Sequence, residues 1–122
     1  MCGISAIVTI GQMPDGAIEH MVASLANRGP DAQGVKNLAG CHLGQSRLSI
    51  IDLVTGRQPM SYSQGRFWIT FNGEIYNYRE IRTLLLQGGY TFMTTSDTEV
   101  VLASYAQWGE ACLDRFRGMY AF

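Results

Sequence analysis

A chain of 122 residues is the size of one domain, and 47% hydrophobic against 16% charged residues supports a buried core. The net charge is −1 and Lys36 is the single lysine, so the basic footprint of a nucleic-acid binder is missing. The longest apolar runs, Leu84-Leu85-Leu86 and Val100-Val101-Leu102-Ala103, fall far short of the roughly 20 residues that cross a bilayer.

Residues 4–10, ISAIVTI, are rich in β-branched side chains and predict a buried strand, broken by Met13-Pro14-Asp15-Gly16. Ile18, Met21, Val22 and Leu25 recur at helical spacing, so an amphipathic helix is expected over 16–26. Arg28-Gly29-Pro30-Asp31 reads as a loop. Strands are expected over 41–51 and 66–71, the second with Phe67, Ile69 and Phe71 on one face and Arg66, Trp68 and Thr70 on the other. A helix is predicted over 78–87, with Asn77 and Glu80 as a capping box, Ile81, Leu84 and Leu85 as its buried stripe, and Gly88-Gly89 as its stop. Ser96 and Glu99 repeat the capping pattern before a helix over about 97–108, whose inner face would hold Val101, Leu102, Tyr105 and Trp108. A strand begins at Gly118. Strands and helices mix without a regular βαβ rhythm, which predicts an α+β fold with largely antiparallel sheet.

Cys2, Cys41 and Cys112 are odd in number, widely spaced and without a CxxC pair. That argues against a disulfide framework and for a reducing, cytoplasmic setting. The start of the chain also lacks the basic region and unbroken apolar run of a signal peptide, since Ser5, Thr9 and Gly11 interrupt it. His20 and His42 do not stand at zinc-like spacing from a second ligand, and no metal site is expected.

Several short segments carry chemistry. Removal of Met1 would leave Cys2 with a thiol and a free α-amine on one residue, a nucleophile with a base built in. Phe71-Asn72-Gly73-Glu74 is either a type I′ hairpin turn or a pair of donors aimed at an oxyanion, one from the Asn72 amide and one from the Gly73 N–H. Arg47, in an otherwise apolar strand, either lies exposed on an edge, pairs with Asp52, or grips a substrate carboxylate as a fork. Ser96-Asp97 is first of all a helix cap, yet Asp97, like Glu74, can hold an ammonium group. Arg28 and Asp31 suggest a local ion pair, and Cys41 and Cys112 suggest buried packing.

Six segments in order, MCGI, RGPD at 28–31, RLSIIDL at 47–53, FNGEIYNY at 71–78, SDTEV at 96–100 and GMYAF at 118–122, give the chain its resemblance. It resembles the class II glutamine amidotransferase domain, most of all the glutaminase domain of glutamine-hydrolysing asparagine synthetase. The resemblance spans nearly the whole chain. It implies the αββα sandwich of the N-terminal nucleophile hydrolases, with residues 1–122 forming a glutaminase domain cut short on its C-terminal side and the synthetase domain absent. A fragile or self-associating chain, including a homo-oligomer, is therefore expected.

The same resemblance implies roles. Cys2 would be the nucleophile, Asn72 and Gly73 the oxyanion hole, and Arg47 the carboxylate grip, with Leu48, Ser49, Ile50 and Ile51 lining the pocket. Glu74 and Asp97 would hold the α-ammonium, and Gly3 would keep the start of the chain open to substrate. The reaction would be hydrolysis of glutamine to glutamate and ammonia through a Cys2 γ-glutamyl thioester. A thiol pKa of about 8.5 and an amine pKa near 7.7–8.0 are matched closely enough for the amine to act as base. No cofactor is expected in this domain. ATP and magnesium belong to the absent synthetase domain or subunit, which would receive the ammonia and amidate aspartate. A different acceptor carboxylate, or a non-catalytic regulatory or partner module of the same fold, are the alternatives.

Overall fold

The computed structural model describes residues 2–48 and 56–122. Its first unit is a three-stranded antiparallel sheet in the order β1-β3-β2, formed by β1 (Gly3–Val8), β2 (Ala32–Leu38) and β3 (Cys41–Arg47). Gly3 pairs with Ser46 and Ala32 with Arg47, so the chain start and the Arg28–Asp31 loop meet at the same end of β3. Helix α1 (Ala17–Ser24) lies on one face of this sheet and buries Ile18 and Val22. Its close approach depends on Gly44, where an added Cβ would run into Val22 and Ser5, and Ser46 Oγ donates to the Val22 carbonyl at 2.9 Å.

The second unit surrounds α3 (Asp97–Trp108). Strands β4 (Met60–Tyr62) and β5 (Phe67–Ile69) form one antiparallel pair, and β6 (Asn72–Ile75) and β7 (Gly118–Ala121) another. Helix α2 (Tyr78–Gln87) and a 3₁₀ segment (Gly109–Arg115) complete it. Met60, Ile69, Phe71, Ile75, Ile81, Leu85, Cys112 and Phe116 pack around Val100–Ala103 as one apolar cluster. All strand pairs among the described residues are antiparallel, and the architecture is mixed α/β with three α-helices.

Several expectations are corrected. Strand β1 is not fully buried. It is an edge strand, with Val8 80% exposed and Ile10 beyond it open to solvent, because α1 covers only the end that carries Gly3 and Ser5. Strands β2 and β4 carry no clear alternation in sequence and arise by pairing along β3 and β5. The strand expected over 41–51 ends at Arg47, and 49–51 lie outside the described residues. Asn72-Gly73 is not a hairpin turn but the start of β6.

Asn77 precedes α2 but does not cap it. Its amide donates to the Arg115 carbonyl and accepts from the Arg117 N–H, both at 2.9 Å, stapling the helix start to the segment before β7. Ser96 does cap α3, accepting from the Thr98 N–H at 3.1 Å. Glu99 does not return the bond; it accepts instead from Met93 N, Thr94 N and Thr94 Oγ1. Met21, Leu84 and Tyr105 are 40%, 54% and 43% exposed, so each predicted stripe is narrower than expected or turned. In α3 the buried run is continuous from Asp97 to Ser104, since α2, β4 and β5 all press on it. Cys112 is buried as expected, whereas Cys41 is only half-buried.

Candidate active site

Cys2 sits where the start of β1 meets the end of β3. The Leu48 N–H points at its sulfur at 3.3 Å, and the thiol lies 3.4 Å from the Leu48 carbonyl. Arg28 Nε donates to the Cys2 carbonyl at 3.2 Å, fixing the backbone of the same residue. The rest of that loop is tied to β3. The Asp31 N–H donates to the Arg47 carbonyl at 3.0 Å, and Gly29 lies so close to the Ser46 carbonyl and Arg47 nitrogen that no side chain fits. The Arg28–Asp31 segment is thus a bracket that holds Cys2 and Arg47 side by side. Gly3 is buried against Leu25, with only 2.7 Å between an added Cβ and the Leu25 Cβ. Its small size serves packing against Leu25, the residue that follows α1.

A cavity of about 260 Å³ opens at this junction. That is below the roughly 300–1,000 Å³ of drug-sized sites and suits a small ligand. Cys2, Arg47, Leu48, Asn72, Gly73, Glu74 and Asp97 all line it. Residues 49–51 and Asp52 lie outside the described residues. Arg47 is 7% exposed and presents its cation at the end of β3. Asn72, Gly73 and Glu74 come from β6, paired with Ala121, Tyr120 and Met119 of β7. At Gly73 the space for a side chain is already taken by the backbone of β7, which is a packing reason for glycine beside the expected one of ligand access.

Asp97 begins α3 and is 4% exposed. Burial raises its carboxyl pKa above the ordinary value, hydrogen bonds from the Ile75 and Thr98 N–H groups pull against that, and the negative charge of Glu74 raises it further. The Ile75 N–H reaches its Oδ2 at 3.0 Å. A buried carboxylate whose ionisation is opposed gains most from a cation, and the cavity leads to it. One buried arginine, one buried aspartate and one thiol on a single small cavity can hold a molecule with both a carboxylate and an ammonium beside a sulfur nucleophile.

Four further lining residues escape a sequence reading: Gly56, Gln58, Thr98 and Met119. Gln58 Oε1 accepts from the Phe71 N–H at 2.6 Å and its Nε2 donates to Thr98 Oγ1 at 3.2 Å. These partners lie 13 and 40 residues away, beyond any local spacing rule.

The glutamine amidotransferase domain family matches residues 1–122, the whole chain. The chain belongs to the glutamine amidotransferase domain family. Asparagine synthetase (glutamine-hydrolyzing) 1 of Bacillus subtilis (strain 168) is 44% identical over 127 residues, covering all of this chain and 20% of that protein. Asparagine synthetase (glutamine-hydrolyzing) 2 of Oryza sativa subsp. japonica is 35% identical over 125 residues, again covering the whole chain and 21% of the relative. This amidotransferase domain therefore spans about a fifth of the length of the curated relatives it matches. No helix among the described residues is long and apolar enough to cross a membrane.

Proposed function

We propose that the chain is a glutaminase unit that hydrolyses glutamine through a Cys2 thioester and supplies ammonia to an asparagine-forming synthetase domain or subunit. The observation that carries this reading is the sharing of one small cavity by the Cys2 thiol, the buried Arg47 and the buried Asp97.

With Met1 removed, the α-amine of Cys2 accepts the thiol proton. The sulfur attacks the side-chain carboxamide carbon of glutamine, and the carbonyl electron pair moves onto oxygen. The Asn72 amide and the Gly73 N–H stabilise that oxyanion; a lost donor of this kind costs on the order of a hundredfold or more in rate. The intermediate collapses, the carbon–nitrogen bond breaks, and the protonated α-amine returns its proton to the departing ammonia. Water then adds to the thioester, gives a proton to the sulfur through the amine, and releases glutamate. Arg47 binds the substrate α-carboxylate, and Asp97 with Glu74 binds the α-ammonium.

Two further parts belong to the proposal. The relatives' names support asparagine formation as the use of the ammonia. In this reading the step that uses ATP and magnesium lies in the synthetase. The β1-β3-β2 sheet, led by the nucleophile strand and covered by α1, fits one half of the αββα sandwich.

Intact mass fixes whether Met1 is removed. Glutamate release is then measured for the wild type, Cys2→Ala and Cys2→Ser. Activity should vanish in the alanine variant and nearly vanish in the serine variant, because a hydroxyl ionises far less readily than a thiol. Equal rates in wild type and Cys2→Ala would sink the assignment.

A further inference from the structure

The catalytic cavity draws on three separate pieces of backbone: the β1–β3 sheet with Cys2 and Arg47, strand β6 with Asn72 and Gly73, and the start of α3 with Asp97. Among the described residues no strand pairing joins these pieces, since the sheets β1-β3-β2 and β6-β7 are distinct. Besides the direct bond from the Ile75 N–H of β6 to Asp97 Oδ2 at 3.0 Å, they are joined through Phe71, the residue that precedes Asn72. Its N–H is taken by Gln58 Oε1 at 2.6 Å, and its carbonyl by Gln45 Nε2 at 2.7 Å. Gln45 lies on β3 two residues before Arg47, and the second end of Gln58 reaches Thr98, the neighbour of Asp97. Both amide orientations are forced, because an N–H can only donate and a carbonyl only accept.

Resting on the glutaminase reading above, we propose that Gln45 and Gln58 are positioning residues. Together they clasp Phe71 and hold the oxyanion donors in register with the carboxylate grip on one side and the ammonium-binding carboxylate on the other. Neither needs to touch the reacting atoms. Gln45 is 1% exposed, and among the described residues its Oε1 has no partner, so its side-chain amide is held by the one bond to the Phe71 carbonyl. Thr70 Oγ1 adds a parallel tie to the Gly44 carbonyl at 2.9 Å.

The test uses Gln58, which lines the cavity and is easier to change without unfolding the core. Gln58→Met keeps length and loses both bonds. It should lower kcat about tenfold, short of the roughly hundredfold loss of a donor outright, because Asn72 and Gly73 remain but drift. Thr98→Val cuts only the helix end; KM should rise about fivefold, the worth of one neutral hydrogen bond, with kcat kept. Gln58→Glu offers oxygens to both the Phe71 N–H and the rotatable Thr98 hydroxyl, and should restore kcat. In the Gln58→Met/Thr98→Val double variant, KM should be no worse than in Gln58→Met alone, since both remove the same bond.

Rates are normalised to the folded fraction read from near-UV circular dichroism, so a loss of folded protein alone would leave kcat unchanged and overturn the proposal. Additive KM effects, or a Thr98→Val without effect beside a crippled Gln58→Met, would also overturn it, because they make Gln58 a direct substrate contact. A readout independent of turnover separates this from the function itself: amide exchange and nitrogen–proton shifts of Phe71–Gly73 and Asp97–Thr98 in the free protein. Both segments should change in Gln58→Met. Unchanged signals refute the clasp even in an inactive protein, whereas changed signals with an inactive wild type leave the clasp standing and remove the glutaminase reading.

Discussion

Replacing Gly73 by alanine adds one carbon at the most crowded point of the site. That carbon would meet the Met119 carbonyl oxygen, would lie 2.5 Å from Tyr120 Cα and would lie 2.7 Å from Tyr120 Cβ, where ordinary contact begins near 3.4 Å. None of these atoms sits at the end of a flexible side chain, so rotamer changes cannot relieve the clash. Strands β6 and β7 must part locally by about 1.1 Å to bring the Met119 oxygen to normal contact. Overpacking of this size costs about 1–3 kcal/mol, which for a domain of this length lowers Tm by roughly 4–12 °C. Asn72 is the adjacent residue and moves with the strand. A displacement of about 1 Å at a reacting centre costs on the order of a hundredfold in rate, or about 2.7 kcal/mol in barrier. The variant keeps the backbone N–H, so the loss reports position and not a missing donor. Glutamate release normalised to the folded fraction gives kcat, and a thermal melt gives the stability change. Gly11→Ala, which meets nothing within 4 Å, is the control and should match wild type in both. Wild-type kcat and Tm in Gly73→Ala would refute the β6–β7 geometry and the placement of Asn72 that depends on it.

Asp97 provides a pH test. Its pKa is raised above the ordinary value of 3.8, chiefly by burial, so ionising it disfavours the folded state. Its contribution to stability is therefore fully present below that value and is lost as pH rises through the folded value. Asp97→Asn cannot ionise, and in ligand-free protein it should gain stability relative to wild type as pH rises above the ordinary carboxyl value of 3.8, while KM for glutamine rises at least tenfold. Melts that run parallel above that value would contradict the burial argument. Asn77→Ala should cost about 1–3 kcal/mol through its two lost bonds to the Arg115 and Arg117 backbone. Asn77→Ser should fail to restore the melting temperature; recovery would mean that the residue acts as a helix cap after all.

Local signals were read correctly where local physics decides the outcome. Helix α2 runs from Tyr78 to Gln87 because a helix former run is bounded by Asn77 and Gly88-Gly89, and Ser96 caps α3 through a bond two residues away. The capping boxes failed at their second member, since Glu99 found stronger partners in the Met93 and Thr94 N–H groups. Asn77 was misread for a related reason: its amide can satisfy two backbone groups some 40 residues away, which no window of neighbouring residues contains. Strand β2 was invisible because its pattern is polar and its stability comes from pairing along β3.

For the candidate site, the types of group were legible in one dimension: a thiol beside the start, an arginine in an apolar run, an Asn-Gly pair and an acidic helix start. Those residues carry their chemistry in their own side chains, so the sequence by itself determined which groups are available. Their meeting in one cavity was decided only by tertiary structure. Arg28 and Gly29 bracket Cys2 to the end of β3, and Gln45 and Gln58 bind Phe71 to both sides of the site. Those contacts span 13 to 40 residues, and their energy depends on where the backbone of a distant segment lies, a quantity that no local pattern encodes.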